Sequence, residues 1–353
     1  MTQSIFDVNI KKTLSLITPH QLMEDLPITQ KATETVHQGR QAITSILQGA
    51  DPRALVIVGP CSIHDEKAGL EYAQRLADLA HRLSDRILVV MRVYFEKPRT
   101  TLGWKGLIYD PMLDGSFDIE SGLHRARGFL LSLGEIGLPA ATEFLDPIVP
   151  QYLADLISWA AVGARTVESQ THRQMASGLS MPVGFKNSTD GSPQNAVDAI
   201  VTARSPHAFL GIDRDGNTAV VLTKGNPNTH LVLRGGKGGA NFDASTVAEI
   251  QTLLQSANLP SQIMVDCSHA NSDKDHTRQY IVFRDVIKQR LAGNTDIIGC
   301  MVESHIHPGN QKLGSDPSKL EYGVSITDAC IGWEETEMLL GEAHEQLGAL
   351  AVT

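Results

Sequence analysis

The chain of 353 residues has little cysteine, few aromatics, no basic excess and no apolar run of membrane length. Its four cysteines, at 61, 267, 300 and 330, show neither CxxC pairing nor the density of a disulfide-stapled small domain. Structural disulfides are therefore not expected, and a reduced, cytoplasmic setting is. A net charge of −10 removes the electrostatic reason for nucleic acid to be the main partner. No stretch approaches the roughly 20 apolar residues of a spanning helix, and the opening MTQSIFDVNIKK lacks the apolar core of a leader, so no membrane partner is expected. No GxGxxG or GxxxxGK(S/T) follows an apolar run, which disfavours a two-domain nucleotide-binding protein. Internal repeats and low-complexity segments are absent as well. The hydrophobic fraction of 42% is that of a globular protein, and the length allows one decorated barrel or two ordinary domains.

What the chain does have is a series of short apolar runs, each ending on a residue able to hold a metal or an anion. They are LVIVGPC to Cys61, ILVVMR to Arg92, PAATE to Glu143, AVGAR to Arg165, PVGFK to Lys186, HLVLR to Arg234, IMVDCSH to His269 and IIGCMVE to Glu303. Continuous runs of this length read as strands buried on both faces. Helical apolar spacing intervenes over 66–83, 122–136, 150–161, 171–179, 195–203, 244–257 and 275–292. The alternation predicts an α/β chain whose residues 51–353 form a (β/α)8 TIM barrel, with its active site at the C-terminal ends of the strands. Residues 1–50, with an amphipathic helix over 30–49, read as an N-terminal extension that contacts another subunit. Residues 207–225 read as an inserted β-hairpin, because D-x-D-G-N separates two β-rich runs. A long Gly/Pro/Ser loop, 307–328, follows the last strand.

Two sets of side chains carry chemistry. Cys61, His269, Glu303 and Asp328 supply one thiolate, one imidazole and two carboxylates, a set suited to Mn2+, Fe2+, Co2+ or Zn2+. Taken singly they are a small buried thiol, a core histidine and loop charges; their shared placement at strand ends is what groups them. The second set is cationic: Arg92, Lys97, Arg99, Lys105, Arg165, Lys186, Arg234 and Lys237. An arginine ending a buried strand needs an anion, and its fork matches phosphate and carboxylate oxygens in pairs. The glycines in Arg234-Gly-Gly-Lys237 offer amide donors at close range. Glu96-Lys-Pro-Arg-Thr-Thr101 forms a second cradle for phosphate. A metal and two anion sites suggest condensation of two phosphorylated small molecules, or hydrolysis of one.

Eight segments carry a resemblance to a known family: GPCSIH (59–64), MRVYFEKPRTTLGWKG (91–106), GARTVESQTHR (163–173), GFKNSTDG (184–191), LRGGK (233–237), VDCSHANS (265–272), VESHIHPGNQ (302–311) and SITDACIGWE (325–334). Together they closely resemble type I 3-deoxy-D-arabino-heptulosonate 7-phosphate (DAHP) synthase, from the extension to about residue 340. The resemblance implies a transferase, 3-deoxy-7-phosphoheptulonate synthase, at the first step of the shikimate pathway. Phosphoenolpyruvate and D-erythrose 4-phosphate would condense to DAHP and phosphate with one divalent metal ion. It implies that Cys61, His269, Glu303 and Asp328 bind the metal, and that Arg92, Arg165, Lys186 and Arg234 surround phosphoenolpyruvate. Lys97, Pro98, Arg99 and Thr100 would line the erythrose 4-phosphate site, with Lys97, Glu143 and His269 handling protons and water.

The resemblance further implies a homodimer or homotetramer inhibited by one aromatic amino acid. The effector pocket would join the hairpin and neighbouring helices to a partner's N-terminal segment, with Asp7, Pro147, Gln151, Leu179, Ser180, Phe209, Gly211 and Val221 as candidates. In the family a glycine matching Gly211 goes with tyrosine and a serine with phenylalanine, so tyrosine is expected. Asp146-Pro147 and Gly178-Leu-Ser-Met-Pro182 also look like the tyrosine-sensitive form. Ser188, in place of a glycine, and Gly238-Gly-Ala, in place of a Pro-containing stretch, depart from the family pattern near loops only. KPRTT in place of a KANRS-like loop argues against the related octulosonate 8-phosphate synthase. A catalytically silent sensor should have lost a ligand or an arginine that this chain keeps.

Overall fold

The computed structural model describes residues 5–349. In chain order the strands are β1 (Ala54–Gly59), β2 (Ile87–Arg92), β3 (Ala140–Glu143), β4 (Trp159–Val162), β5 (Val183–Lys186), β6 (Ala208–Ile212), β7 (Thr218–Leu222), β8 (Thr229–Leu233), β9 (Ile263–Asp266) and β10 (Ile297–Glu303). Eight of them close into an all-parallel barrel in the order β1-β10-β9-β8-β5-β4-β3-β2, while β6 and β7 pair antiparallel outside it. Nearly every barrel position is buried, as expected of parallel strands covered by helices.

The helices are α1 (Pro19–Asp25), α2 (Gln30–Leu47), α3 (Glu66–Leu83), α4 (Ile119–Ile136), α5 (Pro150–Leu153), α6 (Gln170–Gly178), α7 (Gln194–Ala203), α8 (Ala244–Ser256), α9 (Gln279–Leu291) and α10 (Trp333–Ala349). Their starts follow side-chain chemistry. Asp65 accepts from the amides of Lys67 and Ala68 to begin α3, and Asp243 accepts from that of Thr246 to begin α8. Among the described residues no helix is long and apolar enough to cross a membrane.

Helical spacing over 150–161 does not survive folding. Only Pro150–Leu153 is α-helical, a 3-10 turn follows at Ala154–Leu156, and β4 opens at Trp159. Trp159, Ala160 and Ala161 are buried on both faces, and the strand's pairing with β3 and β5 outweighs a chance helical period. A smaller shift occurs ahead of α9, where His276–Arg278 form a 3-10 turn before Gln279 starts the helix.

Two apolar layers hold the fold. The helices pack outside the strands through one large cluster. Inside the barrel, Leu55, Ile57, Val90, Tyr94, Trp159, Val232, Met264 and Met301 join Ile43 and Ile46 of α2, which closes the N-terminal end. The N-terminal extension is also tied to its own barrel. Arg127 binds the Leu26 carbonyl at 2.8 Å, Tyr152 donates to the Ile17 carbonyl at 2.8 Å, and the His20 amide donates to Arg214 at the hairpin tip at 2.8 Å.

Candidate active site

The strand C-termini deliver the expected residues to one mouth. A cavity of about 280 Å³ is lined by Arg92, Lys97, Pro98, Arg99, Thr100, Glu143, Arg165, Lys186, Arg234, His269 and Asp328. A wider cavity of about 790 Å³ adjoins it, sharing Arg165, Arg234, His269 and Asp328 and adding Lys237 and Glu303. Lys105 lies outside both and contributes its carbonyl, which accepts from the Lys97 amide at 2.8 Å.

Donor atoms of Cys61, Glu303 and Asp328 all lie within 4.8 Å of one another. A thiol and two carboxyls so close suit a borderline divalent ion. His269 stands outside that tight group but lines the same cavity as Asp328. Its Nδ1 is held by Asp266 Oδ2 at 2.9 Å and by Ser268 Oγ at 2.8 Å, so Nε2 is the nitrogen left for a ligand. Gln279 clamps the Glu303 backbone from both sides, donating to its carbonyl and accepting from its amide at 2.9 Å each.

The mouth buries two ion pairs. Arg92 meets Glu303 at 2.9 Å and Lys186 meets Asp266 at 2.9 Å, all four nearly sealed from solvent. Lys97 Nζ lies 3.0 Å from Cys61 Sγ and 3.3 Å from the Cys61 carbonyl. Asn187 accepts from the Arg234 amide at 2.8 Å and fixes the end of β8. On the rim, Arg99, Thr100 and Arg165 are exposed, and Arg165 Nη1 reaches the Pro98 carbonyl at 3.5 Å. Gly163 permits the close approach of Glu143, since a Cβ there would stand 2.1 Å from Glu143 Oε1.

These surroundings set the protonation states. Burial, and then the Glu303 carboxylate, push the Cys61 thiol up to about 11, so it stays protonated until a cation displaces the proton. Burial pulls the Lys97 ammonium down, but Cys61 and Glu303 hold it above its ordinary value. Burial would raise Asp266, yet His269 and Lys186 keep it well below the usual carboxylate range. Asp328 is likewise lowered, against burial, by Lys97 and His269.

Sequence reasoning passed over Asp266, Tyr94 and Glu96. An acid inside a buried apolar run, as in IMVD, was the available signal for Asp266. Glu96, fully buried, accepts from the Leu145 and Asp146 amides at 3.1 and 3.0 Å and from Tyr109 at 3.0 Å; burial outweighs these donors and raises it to about 8.

The effector candidates lie on the hairpin, at the end of α6, at the start of α5 and, for Asp7, in the N-terminal stretch. Phe209 pairs directly with Val221 across the hairpin, and a Cβ on Gly211 would come 2.8 Å from Val221 Cγ2. Leu179 and Ser180 follow α6, whose last turn meets the hairpin through a 2.7 Å Ser177–Thr223 hydroxyl contact. Pro147 and Gln151 flank the start of α5, and Asp7 lies in an exposed stretch with φ 55°.

A family model described as the DAHP synthetase I family matches residues 25–341. The Tyr-sensitive phospho-2-dehydro-3-deoxyheptonate aldolase of Escherichia coli (strain K12) is 53% identical over 341 residues, covering 97% of this chain and 96% of that one. The Phe-sensitive enzyme of the same strain is 55% identical over 334 residues, covering 95% of each. Among solved structures, the phospho-2-dehydro-3-deoxyheptonate aldolase of Francisella tularensis matches with a TM-score of 0.94 at 49% identity, covering 96% of this chain and 99% of that one.

Proposed function

The chain belongs to the DAHP synthetase I family, and from that premise we propose that it condenses phosphoenolpyruvate with D-erythrose 4-phosphate to give DAHP and inorganic phosphate. The observation that carries the proposal is one cavity lined by Arg92, Lys97, Arg165, Lys186 and Arg234 beside the Cys61–Glu303–Asp328 group.

In this reading Arg92, Arg165, Lys186 and Arg234 bind the phosphate and carboxylate of phosphoenolpyruvate, while Lys97, Pro98, Arg99 and Thr100 seat the sugar phosphate. Cys61, Glu303 and Asp328, with His269 as the fourth ligand, would hold a divalent ion that supplies Lewis-acid polarisation of the aldehyde oxygen. C3 of the enol phosphate then attacks the aldehyde carbon, and the Lys97 ammonium protonates the alkoxide that forms. The attack leaves a cationic C2, to which water adds, directed by Glu143 or His269. The hemiketal phosphate then collapses as its C2 hydroxyl loses a proton and the C–O bond to phosphate breaks, so the water oxygen becomes the C2 ketone oxygen of DAHP. One water enters and one phosphate leaves.

Regulation belongs to the same proposal. Identity alone does not choose the effector, since the Tyr-sensitive and Phe-sensitive relatives are about equally similar. Gly211 favours tyrosine, because a glycine at the matching position goes with tyrosine sensitivity in the family; a side chain here would press on Val221, its Cβ standing 2.8 Å from Val221 Cγ2. A homodimer or homotetramer would supply the partner's N-terminal segment to the pocket. The test is phosphate release with D-erythrose 4-phosphate or D-arabinose 5-phosphate, with each aromatic amino acid added. Turnover with the four-carbon sugar, suppressed chiefly by tyrosine, supports the whole reading. Preference for the five-carbon sugar would overturn the substrate, and stronger suppression by phenylalanine would overturn the effector.

A further inference from the structure

We propose that Tyr94 is a positioning residue for this reaction, its ring serving as one uncharged platform shared by Arg92, Lys97 and Lys186. The Arg92 guanidinium stacks 3.5 Å from the ring centroid, and the ammonium groups of Lys97 and Lys186 lie at 5.8 and 5.9 Å. All three are inside the roughly 6 Å over which an aromatic face attracts a cation. Tyr94 is 1% exposed, belongs to the apolar core inside the barrel and forms part of the cavity lining.

Three cations converging on one cavity repel one another, and each already leans on a separate partner: Glu303, Asp266 or the Cys61 sulfur. A further carboxylate beneath them would hold them in place but cancel the field that attracts a polyanionic substrate. An aliphatic side chain would keep the field and leave the cations unsupported. A ring quadrupole supports all three while adding no charge. The hydroxyl donates to no protein group, whereas the ring face meets all three cations, so the role is assigned to the ring.

The proposal rests on the reading of the mouth as the phosphoenolpyruvate site. Its test places phenylalanine, 4-fluoro-, 3,5-difluoro- and 3,4,5-trifluorophenylalanine at position 94 of the full chain. Fluorine drains the ring face with little change of shape, so folding and platform strength separate. Phosphoenolpyruvate dissociation constants, KM, kcat and thermal midpoints are measured for each. Tyr94→Phe should bind phosphoenolpyruvate within about threefold of the native chain. Across the fluorinated series affinity should weaken stepwise, about tenfold in all, with KM moving more than kcat and the thermal midpoint nearly constant. A flat series would overturn the platform. So would a loss that follows the thermal midpoint instead of fluorine count, or a Phe variant as weak as the trifluoro form, which would move the role to the hydroxyl. If the native chain binds no phosphoenolpyruvate, the failure lies in the proposed function, and the platform falls with it.

Discussion

The two ends of the barrel solve opposite problems with the same strands. At the C-terminal end Arg92, Lys186, Asp266 and Glu303 are buried as ion pairs around an open cavity. At the N-terminal end Trp159, Leu55 and Val232 pack against Ile43 and Ile46, and of the few polar atoms there Trp159 Nε1 donates to His230 Nε2 at 3.3 Å while others lack a partner. Ser158 Oγ, Thr229 Oγ1 and His230 Nδ1 have no hydrogen-bond partner, and burial drives His230 down to about 3, so it is neutral. Strand β10 crosses the whole gradient, from Ile297 to Glu303, in 7 residues. Charge is concentrated where a ligand can repay its desolvation, and the apolar end supplies the stability that burying ion pairs does not.

Four substitutions or titrations would break or sharpen that contrast. The largest effect is expected at the mouth: Asp328→Asn should slow phosphate release by about a thousandfold with little change in thermal midpoint, checked by steady-state kinetics and calorimetry. At the other end, Trp159→Ala should cost about 3–5 kcal/mol in denaturant unfolding and leave turnover per folded molecule nearly unchanged. Equal damage to both readouts in either variant would erase the distinction.

Lys186→Met tests whether the mouth also carries stability. It strands Asp266, whose carboxyl is held below its ordinary range partly by Lys186. A depressed carboxyl contributes stability above the unfolded-state pKa of about 4 and loses it as pH falls through the folded value. The variant should thus be destabilised by about 3 kcal/mol at neutral pH, and the gap should narrow in acid. The smallest effect concerns Cys61. Because the thiol stays protonated to about 11, metal uptake must release its proton. Metal affinity measured by calorimetry should then rise about tenfold per pH unit between roughly pH 6 and 8.

Much of this was legible in the chain. Parallel strands buried on both faces leave uninterrupted apolar runs, so the residue ending each run marked the mouth before any geometry was known. What spacing could not supply was partnership. Arg92 meets Glu303 because β2 and β10 both flank β1, and Lys186 meets Asp266 because β5 and β9 both flank β8, a strand order that no local pattern encodes. Lys105 ends no strand, and it alone of the cations named from sequence misses both cavities. The helix expected over 150–161 failed for a related reason, since a short buried strand and one turn of helix share the same apolar residues.

The most direct test of the central claim is phosphate release from phosphoenolpyruvate and D-erythrose 4-phosphate by metal-stripped protein, titrated with Mn2+. The account predicts negligible turnover after stripping and recovery that saturates at one ion per chain. Full turnover in excess EDTA, or none with metal restored, would contradict it.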